Sequence, residues 1–120
     1  MLINELSKKT GISIHTIRFY EKSGLIKGQQ DATIKSNNYF HYDDEAVYKL
    51  ELIRDAKSIG FTLSEIKHLI EAWYDKKFSV AQKLDILDQK LVAIDEKIKQ
   101  LKDMKKLHTE FKKEIAEHDC

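Results

Sequence analysis

The stretch from Asn4 to Gly24, NELSKKTGISIHTIRFYEKSG, decides the fold. Its first half has helical spacing and runs into Gly11, a residue that accepts the left-handed backbone on which helices stop. Ser13, just beyond, is a good N-cap because its hydroxyl can accept from a free N–H of the next turn. Only Ile12 separates the stop from the start. A helix over Asn4–Thr10 and a second one after Ser13 are therefore joined by a tight turn, and the second breaks at Ser23-Gly24. Leu2, Ile3, Leu6, Ile12, Ile17 and Leu25 supply a shared apolar face, which is the layout of a helix-turn-helix.

Working outward from there, the pattern between Ile26 and Tyr42 turns polar. Asn37-Asn38 tolerates a turn, and Tyr39, Phe40, His41 and Tyr42 favour a strand, so a two-stranded wing is predicted, with Phe40 expected in the core and base stacking as the alternative. Asp43 or Asp44 caps a third helix that runs to about Ser58 and ends at Gly60. Thr62-x-x-Glu65 is a capping box that opens a fourth helix through about Tyr74. These two helices pair through Val47, Leu50, Ile53, Ile59, Leu63, Ile66 and Leu69.

Composition breaks near Lys76-Lys77, which divides the chain into a domain over residues 1–76 and a helix with a short tail over 77–120. The helix, from about Ser79 to Glu117, would be roughly 58 Å long. Its apolar seam, Leu84, Leu87, Leu91, Ile94, Ile98 and Leu101, alternates three and four residues as a coiled coil does. It continues through Met104, Leu107, Phe111 and Ile115 with its phase slipped. A stripe so narrow is not buried by a small domain at one end, so the expected partner is the same helix of a second chain.

The composition excludes several classes. With no proline and four glycines in 120 residues, the chain reads as mainly α. Cys120 is the sole cysteine, so an internal disulfide, a zinc knuckle and a CxxC redox pair are excluded. No apolar run is long enough to span a membrane and no secretory pattern opens the chain, so it is expected in the cytoplasm. There is no nucleophile beside a base, no phosphate-cradling glycine loop and no carboxylate pair in a recognisable cleft, which argues against an enzyme.

Charge points to nucleic acid. Met1 to Tyr42 carries six Lys and Arg against three acidic residues, a net +3 in a chain whose total is +1. Phosphates need cations and donors on one exposed face of a helix that fits the major groove, and His15, Thr16, Arg18 and Lys22 supply them on the second helix.

The block from Glu5 to Ser13, with Thr16-Ile17-Arg18-Phe19-Tyr20-Glu21 and Gly24-Leu25-Ile26, resembles the winged helix-turn-helix of MerR-type bacterial transcription regulators. Lys57-Ser58-Ile59-Gly60-Phe61-Thr62-Leu63-Ser64-Glu65-Ile66 is similar to that family's second signature, and the spacing between the blocks fits. The resemblance implies a DNA-binding domain followed by an antiparallel coiled coil. It also implies a homodimer that binds a pseudo-palindromic promoter element in double-stranded DNA and distorts it in response to an effector, with RNA polymerase as a further partner and the nucleoid as its location. On this basis Arg18 contacts DNA, Tyr20 reaches phosphate, and Lys35 and Tyr39 lie over the adjoining backbone. Lys57 faces a phosphate together with Thr62 at the start of the fourth helix. The dimer interface is Leu84, Leu87, Leu91, Ile94, Ile98, Leu101 and Met104.

The chain departs from the family pattern in having Phe40 and Gln30 where wing arginines are usual, and in lacking a proline after Ile26. Ser79 stands where divalent-metal sensors of the family carry a cysteine. A thiolate pair near the far end is incomplete, since Ile115 lies close to the expected place of the first. Cys120, His118 and His108 remain as a weak mixed ligand set, against a plain solvated tail. No cofactor is evident and the effector is unidentified. Phe61, Trp73, Tyr74 and Phe78 are expected as core, with a small hydrophobic ligand as the alternative. The alternative for the whole chain is a coiled-coil interaction protein whose helix-turn-helix binds protein.

Overall fold

The computed structural model describes residues 1–30 and 40–118 and divides the chain into two compact units, Met1–Lys77 and Phe78–Cys120. The first unit opens with helix α1, Ile3–Thr10, and helix α2, Ile14–Lys22. The turn between them follows the sequence signals. Gly11 is left-handed at φ 74° and its N–H donates to the Ser7 carbonyl, while the Ser13 hydroxyl accepts from the Thr16 N–H. Thr10 is a buried polar residue whose hydroxyl donates to the Leu6 carbonyl at 2.8 Å, so it needs no water.

Two strands, β1 at Gln29–Gln30 and β2 at Phe40–His41, pair antiparallel with Gln29 opposite His41 and Gln30 opposite Phe40. The expected turn at Asn37-Asn38, together with Lys35 and Tyr39, lies outside the described residues. Helix α3, Asp44–Ser58, is capped by Asp43, whose carboxylate accepts from the Ala46 N–H. Helix α4, Leu63–Ile70, opens on the Thr62–Glu65 capping box, with both of its reciprocal hydrogen bonds made. Arg54 of α3 donates to the Thr10 carbonyl at 3.0 Å, which ties α3 to the end of α1.

Leu6, Ile17, Leu50, Ile53 and Ile66 are fully buried, so α1, α2, α3 and α4 share one core. Phe61 is buried too, whereas Trp73, Tyr74 and Phe78 are half-buried. Four expectations need correction. Leu2, expected on the shared apolar face, is exposed where it caps the start of α1. Ile59 is exposed because it is the C-cap of α3, where the backbone leaves helical geometry and turns the side chain off the buried face. Phe40 is also exposed, at 38% of its surface, so its ring is not part of the core. The α-helical hydrogen-bonding of α4 stops at Ile70 and gives way to a π-helical turn over Glu71–Asp75, closed by the Lys76 N–H donating to the Glu71 carbonyl at 2.8 Å. That wider turn buries Ala72, and the Tyr74 ring lies beneath the Lys49 ammonium, 5.3 Å from the ring centroid.

The second unit is helix α5, Val80–His118, opened by a reciprocal cap in which the Ser79 N–H donates to Gln82 and the Gln82 N–H donates to Ser79. None of its residues is buried. Leu84, Leu91, Ile98, Leu101 and Met104 on the predicted seam are all exposed, and so are Leu107, Phe111 and Ile115 past the slip. Among the described residues no helix is long and apolar enough to cross a membrane.

Candidate nucleic-acid interface

Helix α2 has two faces. Ile17 and Tyr20 enter the core, while His15, Arg18, Phe19 and Lys22 are exposed. The exposed four recur at three- and four-residue steps, the spacing that places side chains above one another on a helix. Thr16 is half-buried and already engaged, since its hydroxyl accepts from Ser13 at 2.8 Å. The structure thus groups His15, Arg18 and Lys22 as expected and adds Phe19, which the sequence reading passed over. Its position four residues after His15 and three before Lys22 was the available signal.

Tyr20 and Lys57 meet each other. The tyrosine ring is buried, and the Lys57 ammonium donates to its hydroxyl at 3.4 Å while lying 5.9 Å from the ring centroid. An ammonium has three N–H donors, so this contact leaves others available. Thr62 is exposed at the start of α4, but its N–H donates to the Glu65 carboxylate at 3.0 Å. A carboxylate already complements that helix end.

The strand pair is joined to α2 through a polar contact. The Tyr42 hydroxyl donates to the Glu21 carboxylate at 2.7 Å. Burial, with the nearby negative charge of Glu21, raises the phenol far above its ordinary range, and the Arg18 cation opposes that shift. The fit is close: a Cβ added to Gly28 would lie 2.9 Å from the Phe40 Cβ, 3.0 Å from the Tyr42 ring and 3.1 Å from the Glu21 carboxylate. Glycine at position 28 is therefore required by space. Tyr42 also exchanges backbone hydrogen bonds with Met1, its N–H donating to the Met1 carbonyl and its carbonyl accepting from the Met1 amine, both at 2.7 Å. Leu2, Arg18, Glu21, Phe40 and Tyr42 line a depression of about 530 Å³ beside α2. Glu21, Gly28 and Tyr42 were not singled out from sequence, because their meeting depends on how the strands return to α2.

Among the described residues no group of three or more His, Cys, Asp or Glu side chains could hold a metal ion. His118 ends α5, and Cys120 lies outside the described residues.

Residues 1–73 match a family model described as MerR HTH family regulatory protein, and residues 47–107 match a second described as MerR, DNA binding. The chain is 33% identical over 106 residues to the HTH-type transcriptional regulator HmrR of Rhizobium leguminosarum bv. viciae, covering 88% of this chain and 79% of the relative. Its fold is similar to that of the transcription regulator PbrR691 from Ralstonia metallidurans CH34, solved in complex with lead(II). The TM-score is 0.77 at 25% identity, covering 94% of this chain and 86% of the other. HiNmlR, a MerR family regulator lacking the sensor domain and solved bound to promoter DNA, superposes with a TM-score of 0.61 at 24% identity, covering 85% of this chain and 75% of the other.

Proposed function

This chain belongs to the MerR family of helix-turn-helix regulatory proteins, and from that premise we propose that it works as a homodimer whose two α2 helices enter successive major grooves of a pseudo-palindromic promoter element. It is a DNA-binding transcription regulator. Residues 1–76 form the DNA-binding domain and residues 77–120 the dimerising helix and its tail. The protein acts in the cytoplasm on nucleoid DNA, together with RNA polymerase, and performs no enzymatic reaction.

The observation that carries this reading is the exposed His15, Arg18 and Lys22 face of α2, set on a packed core. Arg18 and Lys22 neutralise phosphates, and His15 and Thr16 offer donors at the groove. Lys57 presents its remaining N–H groups to the backbone beside the Tyr20 hydroxyl. Thr62 touches a phosphate, and Lys35 and Tyr39 cover the backbone next to the wing. With few direct base contacts, much of the specificity comes from the work of deforming the promoter, which depends on sequence at positions the protein never touches. Leu84, Leu87, Leu91, Ile94, Ile98, Leu101 and Met104 bury one another across the antiparallel dimer and set the distance between the two α2 helices.

PbrR691 was solved in complex with lead(II), whereas the effector of this chain is unidentified. Soft heavy-metal ions select thiolate donors, and the single cysteine here is Cys120, with Ser79 at the start of the long helix. The residues present do not fit such a site, so no metal step enters the mechanism.

Fluorescence anisotropy on promoter fragments, the chain's own upstream region included, tests the reading across a salt series. Tight, sequence-selective binding that weakens steeply with salt is expected. Binding that is absent, or weak and indifferent to sequence, would instead favour a protein-interaction module built on the coil.

A further inference from the structure

On the outward face of α2 a single ring stands among cations. Phe19 is 50% exposed, with Arg18 beside it and His15 and Lys22 about one turn to either side. The same helix buries the adjacent Tyr20, so the core is within reach of this helix and Phe19 is turned away from it. A tilted contact with Tyr20, ring centroids 5.8 Å apart, holds the base of the Phe19 ring. Leaving such a ring in water forgoes one of the larger burial gains available to any side chain.

Resting on the reading that α2 enters the major groove, we propose that Phe19 is a specificity-determining residue that reads the C5 methyl group of thymine. Base edges in the major groove present donors and acceptors, and the thymine methyl is the apolar group among them. A phenyl ring has no donor or acceptor. Set against N7 and O6 of guanine or N6 of adenine, it would strip water from those atoms and return no hydrogen bond. Set against a thymine methyl, both partners leave water together. The flanking Arg18 and Lys22 hold the helix in the groove through phosphates without choosing a sequence, so Phe19 supplies discrimination that they lack. The flanking charge also argues against a protein occupant: a ring with His15, Arg18 and Lys22 around it on its own helix suits a polyanion better than an apolar protein face.

The test uses the full chain and a duplex that it enriches from a random pool. Each dT of that duplex is replaced in turn by dU, which removes the methyl group and leaves the hydrogen-bonding edge intact, and affinity is read by fluorescence anisotropy. In the wild type, one position per half-site is expected to lose about fourfold on losing its methyl, the transfer value of one such group. Phe19→Ala should bind the dT duplex several-fold more weakly and become indifferent to dU at that position, with an unchanged salt slope. Phe19→Leu should recover part of the discrimination, and Arg18→Ala should keep the dU penalty while its salt slope becomes shallower. The proposal is overturned if every dU duplex binds the wild type as the dT duplex does, a result that needs no variant to fold. It is overturned equally if Phe19→Ala retains the dU penalty. If no duplex is enriched at all, the DNA-binding reading fails and this inference falls with it.

Discussion

The amino-terminal unit and α5 carry the same kind of signal, apolar residues at helical spacing, and dispose of it in opposite ways. In Met1–Lys77 the spaced residues close on one another, leaving Leu6, Ile17, Leu50, Ile53 and Ile66 without exposed surface. In α5 an equally regular stripe stays open along its length, with Leu91 59% and Leu101 55% exposed. Spacing identifies which side of a helix is to be covered and says nothing about whether the cover comes from the same chain. The unit that covers itself should be stable when dilute, whereas the stripe should make helix, assembly and DNA affinity depend on concentration.

The sharpest way to break this comparison is to charge the stripe. Leu91→Lys with Ile98→Lys should leave a monomer in sedimentation at micromolar concentration, lower the helical circular dichroism, and weaken operator binding about a hundredfold through lost bivalency. The amino-terminal unit should still unfold normally. A double variant that remains dimeric would mean the stripe is not the interface. The converse change is Ile53→Ala, which opens a cavity in the closed core and should cost about 3 kcal/mol in urea unfolding followed by Trp73 fluorescence. Dimerisation should be unaffected by it.

Arg18→Ala touches neither set of apolar contacts. It should weaken DNA binding about tenfold, alike across sequences, and reduce the salt slope by about one while the melting temperature holds. The smallest expected effect is that of Tyr42→Phe, which removes the hydrogen bond to Glu21 and should cost about 1 kcal/mol. It also carries a pH signature. Folding raises the Tyr42 phenol above its unfolded value, so its contribution is complete below pH of about 10 and fades as pH rises beyond that. Thermal melts between neutral and strongly alkaline pH should show part of that loss disappear in Tyr42→Phe. α5 contains no tyrosine to produce the same signature.

Much of the fold was legible because helix ends are local events. Gly11, Ser13, Asp43 and the Thr62–Glu65 pair each act within four residues of themselves, and local rules suffice to find them. The π-helical turn was not legible, since Glu71–Asp75 departs from α geometry in a stretch whose residues suit an ordinary helix. Phe40 misled because aromatic strand residues are usually covered, whereas here 38% of its surface stays exposed beside the depression that it lines with Arg18 and Tyr42. At the candidate interface, the cations of α2 could be read from spacing and charge. The Tyr42–Glu21 bond across 21 positions could not, and neither could the space that demands Gly28, because both arise where the returning strand meets a helix.

The slip in the α5 stripe between Leu101 and Met104 has a consequence for counting. Two helices joined by an unbroken three-and-four seam can slide by seven residues, about 10 Å, and still match apolar side chain with apolar side chain. A slip destroys that translational degeneracy, because only one alignment sets both halves of the stripe against their counterparts. In a homodimer that spaces two α2 helices, the irregularity would serve as a zero mark on a ruler.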